Sequence, residues 1–442
     1  MEKKNKKSGR NPYLVIISAF LAFLTVGTIL LYMPFSQKQP TSFVDCLFIA
    51  TSAFTVTGLA TIDITANFNV IGYTIIMILV QAGGLGIITL AIIVFMMLGR
   101  KVGFKRRSLA TEALNQQNTG GILRLVLILF FISLIFESIG ALLLCLEWIP
   151  QLGFKRGLFH SIFTAVSAFN NAGFALHSDN LVQYRTNPVI NFIITSLIIL
   201  GGIGFTVILD LYKTKNFKKL RVHTKIMLLG TFIINFCATL IIFVLEYGNK
   251  ETLAGHSTFD QLQMAYFQAI TTRTAGFNTI DIGTMTTPTI LIMMLLMFIG
   301  GGSTSTAGGI KLTTTVVILF GTYSFIKQRE HLTLFKRTID PRFLFKSLAV
   351  AVLSSGFCFT IVFCLVLAEP DLPFLPLMFE VISAFGTVGL TMGITTKLSV
   401  IGKLLIILMM MIGKVGVLTI VLTFSRPNKQ LYSYPKEDIL TG

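Results

Sequence analysis

The stretch FVDCLFIATSAFTVTGL, residues 43–59, decides the fold. A short apolar run, half the length of a membrane span, leads into a few small or polar residues and then Gly58. The pattern returns as LFHSIFTAVSAFNNAGF at 158–174, FDQLQMAYFQAITTRTAGF at 259–277 and LPLMFEVISAFGTVGL at 375–390. Their glycines, Gly58, Gly173, Gly276 and Gly389, stand 115, 103 and 113 residues apart. A self-similarity of so long a period divides the 442-residue chain into four units, A to D, and constrains everything read afterwards.

Composition sets the solvent. The chain is 53% hydrophobic and 12% charged, against about 25% charged in a soluble domain. It reads as a polytopic membrane protein. A net charge of +17 would suit a nucleic-acid partner, but none is expected, because membrane proteins collect Lys and Arg on their cytoplasmic loops. The five cysteines lie in apolar runs without metal-ligand spacing, and their odd number argues against a disulfide framework. The basic residues 1–10 precede an apolar run from Pro12 to Pro34. That run exceeds the roughly 7–15 residues of a signal core, so it reads as a retained first helix.

Each unit is a triplet of long, short and long apolar segments. The expected bounds are 13–33, 43–54 and 70–98 in unit A, and 122–147, 157–169 and 188–212 in unit B. They are 224–247, 259–272 and 287–325 in unit C, and 345–368, 373–385 and 399–424 in unit D. A span needs about 20 residues, so the middle segments are too short to cross and are expected to be re-entrant. With the N-terminus inside, 26 Lys/Arg fall on inner segments and eight on outer ones, which sets the orientation. The expected fold is all-α and integral to the membrane: four membrane-pore-membrane repeats, eight spanning helices and four pore helices in pseudo-fourfold arrangement. The divisions are 1–10 (cytoplasmic), 11–99, 100–212, 213–326, 327–424 and 425–442 (cytoplasmic), in a multi-pass plasma-membrane protein.

Non-helical backbone survives at membrane depth only where protein buries it or water lines it. Four such loops can offer carbonyl oxygens in place of the hydration shell of a monovalent cation, with the C-terminal ends of the pore helices adding negative potential. The expected contributors are Val56, Thr57 and Gly58, Asn171, Ala172 and Gly173, Thr274, Ala275 and Gly276, and Thr387, Val388 and Gly389. The competing reading, four ordinary helix-stop glycines, does not account for their common register.

TVTGL at 55–59, TRTAGFNT at 272–279 and SAFGTVGL at 383–390 resemble the filter segments of the Trk/Ktr/HKT superfamily of potassium transporters, nearest to the membrane subunits of bacterial Ktr systems. The likeness covers nearly the whole chain. It implies potassium as the carried ion, with sodium a second candidate. It also implies a homodimer with one pore per protomer, and a cytosolic ring of nucleotide-binding regulatory subunits of the KtrA/KtrC kind.

The second long segment of each unit carries a glycine-rich break: AGGLGI, LGGIGF, IGGGSTSTAGGIK and MIGKVGV. Aligned, their centres are Gly84, Gly202, Gly301 and Lys414. A charge at membrane depth costs at least about 2.5 kcal/mol and usually faces a cavity or a partner. The resembling family often has arginine where Lys414 stands, and lysine lacks its planar fork. In unit C, residues 300–311 hold five glycines, enough to break a helix at about 0.8–1 kcal/mol each. The resemblance places an intramembrane loop there, beneath the filter. Gly301, Gly302, Ser303, Thr304, Ser305, Thr306, Ala307, Gly308, Gly309 and Lys311 are therefore the expected gate, with Lys414 contacting it or acting as an electrostatic barrier. A helix-packing seam of small residues is the alternative.

Arg273 stands three residues before Gly276 and either weakens ion binding or supports the loops. Glu380, in the fourth pore segment, is expected to anchor a filter loop. Asp63 and Asp281 either concentrate cations at the outer mouth or cap short helices. The glycine runs are not dinucleotide fingerprints, since they lie inside apolar segments and lack the ribose-binding acid. No nucleophile and base pair up, and no enzyme activity or covalent cofactor is expected. The basic stretches 100–107, 213–225 and 327–346 suit either a docked partner or anionic lipid. The rival transport mechanism is a tightly coupled sodium or proton symporter, which would favour buried midplane acids and inverted repeats.

Overall fold

The computed structural model describes residues 12–86, 122–303 and 305–424, with 435 and 437. Thr304, the far half of the second long segment of unit A, the basic stretch 100–107 and most of both termini lie outside the described residues.

Each unit opens on a long outer helix: α1 (Pro12–Tyr32), α5 (Ile122–Leu152), α9 (Val222–Glu246) and α13 (Pro341–Ala368). The pore helices follow: α2 (Phe43–Thr55), α6 (Phe154–Phe169), α10 (Thr258–Thr271) and α14 (Phe374–Gly386). At 13 to 16 residues they are too short to span. Unit B starts its pore helix three residues earlier than expected, at Phe154. Capping explains two of the starts. The Ser42 and Ser257 hydroxyls accept from the Asp45 and Asp260 amides at 3.1 and 3.2 Å, the N-terminal arrangement that satisfies orphan helix donors.

The inner helices of units B, C and D are interrupted within the glycine-rich breaks of the sequence. In unit A, α3 (Ile64–Asn67) precedes α4 (Val70–Leu85). Unit B has α7 (Pro188–Ile203) and α8 (Phe205–Lys213), bent 90° from each other. Unit C has α11 (Thr287–Phe298) and α12 (Leu312–Ile326), and unit D has α15 (Val400–Val415) and α16 (Val417–Phe424). The reason is local. Gly86, Gly204 and Gly416 take φ of 83°, 103° and 88°, a conformation that ends a right-handed helix and favours glycine. Hence, among the described residues, only α5, α9 and α13 are single helices long and apolar enough to cross a membrane by the length and composition test, and α7 with α8 makes a bent fourth. The basic segment after α12 is not all loop, since β1 (Thr333–Leu334) and β2 (Arg337–Thr338) pair as a small antiparallel hairpin.

In units B, C and D a glutamate at the end of the outer helix helps seat the inner helix. Glu246 of α9 accepts from the Thr286 amide at 2.9 Å, and Glu369, just past α13, from the Ser399 amide at 2.8 Å. Glu147 of α5 accepts from the Asn187 side chain at 3.2 Å. The four short helices and the glycine turns that follow them lie at the centre, where most residues are buried. The outer helices expose large apolar side chains, such as Leu146, Val244 and Phe359, as a lipid-facing surface requires.

Candidate functional site

The four pore helices end alike. Two residues before each glycine the chain turns left-handed: φ is 53° at Val56, 59° at Asn171, 68° at Thr274 and 47° at Thr387. The glycines themselves have φ of 96°, 69°, 74° and 93°. A left-handed residue other than glycine costs about 1–2 kcal/mol, and for β-branched Val56, Thr274 and Thr387 it is an outlier. The turn sends the amide groups back to the pore helix. Val56 and Thr57 donate to the Ala53 and Ser52 carbonyls at 3.1 and 2.8 Å, and Thr387 and Val388 repeat this on Ala384 and Ser383 at the same distances. Asn171 and Ala172 do the same on Ala168 and Ser167. The Gly58 and Gly389 amides go to the Ser52 and Ser383 hydroxyls at 3.0 and 3.1 Å.

With the donors used, the acceptors are left over. Val56, Thr57, Asn171, Ala172, Thr274, Ala275, Thr387 and Val388 are all fully buried. Among the described residues no hydrogen bond reaches any of their eight carbonyl oxygens. Buried carbonyls are normally paired, so eight in one place without a donor stand out as a cluster of open acceptors.

The loops close into a ring, as the glycines demonstrate. A Cβ added to Gly58 would lie 3.1 Å from Gly173 Cα, and one on Gly173 2.9 Å from Gly276 Cα. On Gly276 it would lie 3.2 Å from Gly389 Cα, and on Gly389 3.0 Å from Gly58 Cα. The order is A, B, C, D and back to A, and no side chain fits between neighbours. Each pore helix end is backed by a glycine of its own inner helix in units A, B and D. A Cβ on Gly83, Gly201 or Gly413 would strike the terminal carbonyl of Phe54, Phe169 or Phe385.

The break in unit C lies against this ring. The chain leaves α11 at Phe298 and returns at Leu312, with the Gly300 amide bonded to the Ile310 carbonyl at 2.8 Å and Leu312 to Gly301 at 3.0 Å. The loop pairs sideways with unit B through Gly302 and the Gly202 carbonyl at 2.9 Å. A Cβ on Gly308 would sit 3.0 Å from Thr387 Cβ, and one on Gly309 3.3 Å from Gly386 Cα. Two lysines grip adjacent carbonyls: Lys414 Nζ donates to Thr306 O at 2.7 Å and Lys311 Nζ to Ala307 O at 2.6 Å. Ser305 bonds the Gly302 carbonyl at 2.7 Å, and Ser303 faces Thr313 at 3.4 Å.

Arg273 is 7% exposed, and its Nη2 donates to the Gly300 carbonyl at 3.4 Å, so it touches the root of this loop and, among the described residues, no carboxylate. Glu380 accepts from the hydroxyls of Thr391 and Thr395, just past the filter glycine of its own unit. Asp63 and Asp281 cap short helices through the Thr65 and Gly283 amides. Among the described residues no three His, Cys, Asp or Glu side chains form a metal-sized group. Several participants carried no recognised signal. Ser52 and Ser383 were legible only as the Ser-Ala-Phe triplet shared by units A, B and D. Asn170, which bonds Gln81 at 2.7 Å and Glu137 at 3.0 Å behind the filter, had none.

Four half-helices ending on a ring of buried carbonyls define a pore-loop membrane protein of the cation-conducting class. The chain belongs to the TrkH family of cation transport proteins, whose family model matches residues 1–434. It is 47% identical to the Ktr system potassium uptake protein B of Bacillus subtilis (strain 168), over 98% of this chain and 96% of that one. It is 41% identical to the protein of the same name from Vibrio alginolyticus, over 100% and 97%. It is 36% identical to the potassium/sodium uptake protein NtpJ of Enterococcus hirae, over 100% and 99%. The fold is similar to the crystal structure of the potassium transporter TrkH from Vibrio parahaemolyticus, with a TM-score of 0.75 at 19% identity, covering 96% of this chain and 87% of that one.

Proposed function

We propose that this chain carries potassium into the cell across the plasma membrane. The ion passes through the ring formed by Val56–Gly58, Asn171–Gly173, Thr274–Gly276 and Thr387–Gly389, and the loop 301–309 with Lys311 and Lys414 closes the path beneath it. One observation carries the reading: eight buried carbonyl oxygens without donors surround one axis. A dehydrated cation supplies the missing partner. The names of the relatives from Bacillus and Vibrio support potassium, and the Enterococcus name makes sodium the second ion to measure.

The relatives' description as components of a Ktr system supports a companion subunit for this chain. We take that companion to be a cytosolic nucleotide-binding ring, docked on the basic inner segments of a homodimer whose termini are cytoplasmic. The unit boundaries 11–99, 100–212, 213–326 and 327–424 are part of the same reading.

The test is cation uptake into liposomes carrying the purified full-length chain, with potassium and sodium compared and with Gly276→Ser beside the parent. Gly276 has φ of 74°, and an added Cβ would strike the Val388 carbonyl. The parent should prefer potassium and the variant should lose that preference. A variant that folds and keeps it removes the ring from the ion path. Shortening 303–308 tests the gate, since uptake without any partner subunit should then rise. Uphill potassium movement driven by a sodium gradient would replace the channel-like mechanism with symport.

A further inference from the structure

Three of the four seams in the ring join units that follow each other in the chain. The seam between units D and A does not: it joins the last unit to the first, and among the described residues no backbone hydrogen bond crosses it. The D–A seam is where the structure places a half-buried ion pair. Lys403 Nζ lies 2.7 Å from Asp45 Oδ1, with the two side chains 15% and 13% exposed. The other ion pair among the described residues, Arg342 with Asp340, is exposed and lies within one unit.

Each partner is well placed to transmit the seam to the filter. Lys403 is the fourth residue of α15, which packs on α2 of unit A as well as on α14 of its own unit. Asp45 lies in the first turn of α2. Its Oδ1 also accepts from the Thr61 hydroxyl at 2.7 Å, and its Oδ2 from the Ser42 hydroxyl at 2.7 Å. Thr61 is three residues past Gly58. One carboxylate thus ties together the start of pore helix A, the strand leaving filter A and the inner helix of unit D. Burial alone would push the Asp45 carboxyl up, but bonds from Lys403, Ser42 and Thr61 outweigh it and hold it below its usual range.

The other seams manage without a charge at this position. The fourth residues of α4, α7 and α11 are Tyr73, Asn191 and Ile290. Tyr73 faces Phe159 of pore helix B, with ring centroids 6.3 Å apart. Asn191 bonds the Tyr184 and Arg185 carbonyls of its own unit. Ile290 lies in an apolar cluster with Phe379 of pore helix D.

We propose that Asp45 and Lys403 are positioning residues, a clamp that closes the carbonyl ring at its one non-covalent seam and thereby sets ion selectivity. The proposal rests on the filter reading above. A bond that fixes the relative position of two ring members acts on the ring's diameter, and through it on the choice between ions of different size.

The experiment measures the potassium-to-sodium uptake ratio in liposomes for the full chain and for Lys403→Met, Asp45→Asn, the double variant and Lys403→Arg, beside Gly276→Ser. A clamp requires Lys403→Met and Asp45→Asn each to lower the ratio several-fold in the same direction. The double variant should be no worse than the poorer single, and Lys403→Arg should stay close to the parent. Unchanged ratios in folded Lys403→Met and Asp45→Asn overturn the proposal. So do opposite shifts in the two, which would mean that their charges merely bias the potential at the mouth. If Lys403→Met fails to fold, Asp45→Asn against Lys403→Arg decides alone. If Gly276→Ser leaves the ratio intact, the filter reading itself falls and the clamp with it. If only Gly276→Ser lowers the ratio, the clamp alone is rejected.

Discussion

Replacing Lys414 by alanine is the most direct probe of the loop beneath the ring. The lysine ammonium holds the Thr306 carbonyl at 2.7 Å, and the loop's other cationic contacts are Lys311 on Ala307 at 2.6 Å and Arg273 at its root on Gly300 at 3.4 Å. A hydrogen bond from a charged donor contributes about 1.5–3 kcal/mol. If that energy belongs to the closed arrangement only, its loss multiplies the open population by roughly 10- to 150-fold while the closed form dominates. Uptake of potassium or rubidium into liposomes, without a partner subunit, should rise accordingly. Lys311→Ala should act in the same direction, because it releases the neighbouring carbonyl. The two lysines also put positive charge beneath the ring, so the rise should be accompanied by weaker voltage dependence if that charge is itself a barrier. Folded Lys414→Ala and Lys311→Ala proteins that both transport at the parental rate would refute the reasoning, since neither tether would then restrain a closed state.

Three further outcomes follow from the geometry. Gly201→Ala presses a methyl group onto the Phe169 carbonyl, 2.9 Å from its carbon; backbone cannot retreat as a side chain can, so thermal unfolding in detergent should show a loss of about 1–3 kcal/mol. Glu380→Ala leaves the buried Thr395 hydroxyl and the half-buried Thr391 hydroxyl without their carboxylate acceptor, at about 1–3 kcal/mol for the buried one, and should lower both melting temperature and potassium preference, with Glu380→Gln milder. For Asp45, a folded-state carboxyl held below its unfolded value of 3.8 contributes stability that is complete above that value and lost only as the pH falls through the lower one. Selectivity should therefore stay flat when the outer pH is taken from about 8 to 5, and a drop within that window would disqualify an ionised Asp45 as the seam's anchor.

Sequence by itself determined what is periodic and what is polar. The recurrence of a half-length apolar run with a glycine gave four units, and all four pore helices lie within a few residues of where that pattern put them. It located the glycines now packed edge to edge, because their spacing is a property of the chain. It also flagged residues 300–311 as a helix that cannot continue, since glycine content is a local quantity. The breaks read in LGGIGF and MIGKVGV are where the inner helices of units B and D stop and restart, at Gly204 and Gly416, but the 90° bend in unit B was not legible, because hydropathy runs straight through a bend.

Tertiary structure alone decided the rest. Val56, Thr274 and Thr387 are poor left-handed residues by type, and only the packing of four loops around one axis compels the conformation that frees their carbonyls. Lys414 could have met an acid or a carbonyl, and the fold brought it Thr306, 108 residues away. Asp45 and Lys403 are 358 residues apart. No local pattern encodes such a contact, because it exists only once the fourth unit has come round to meet the first.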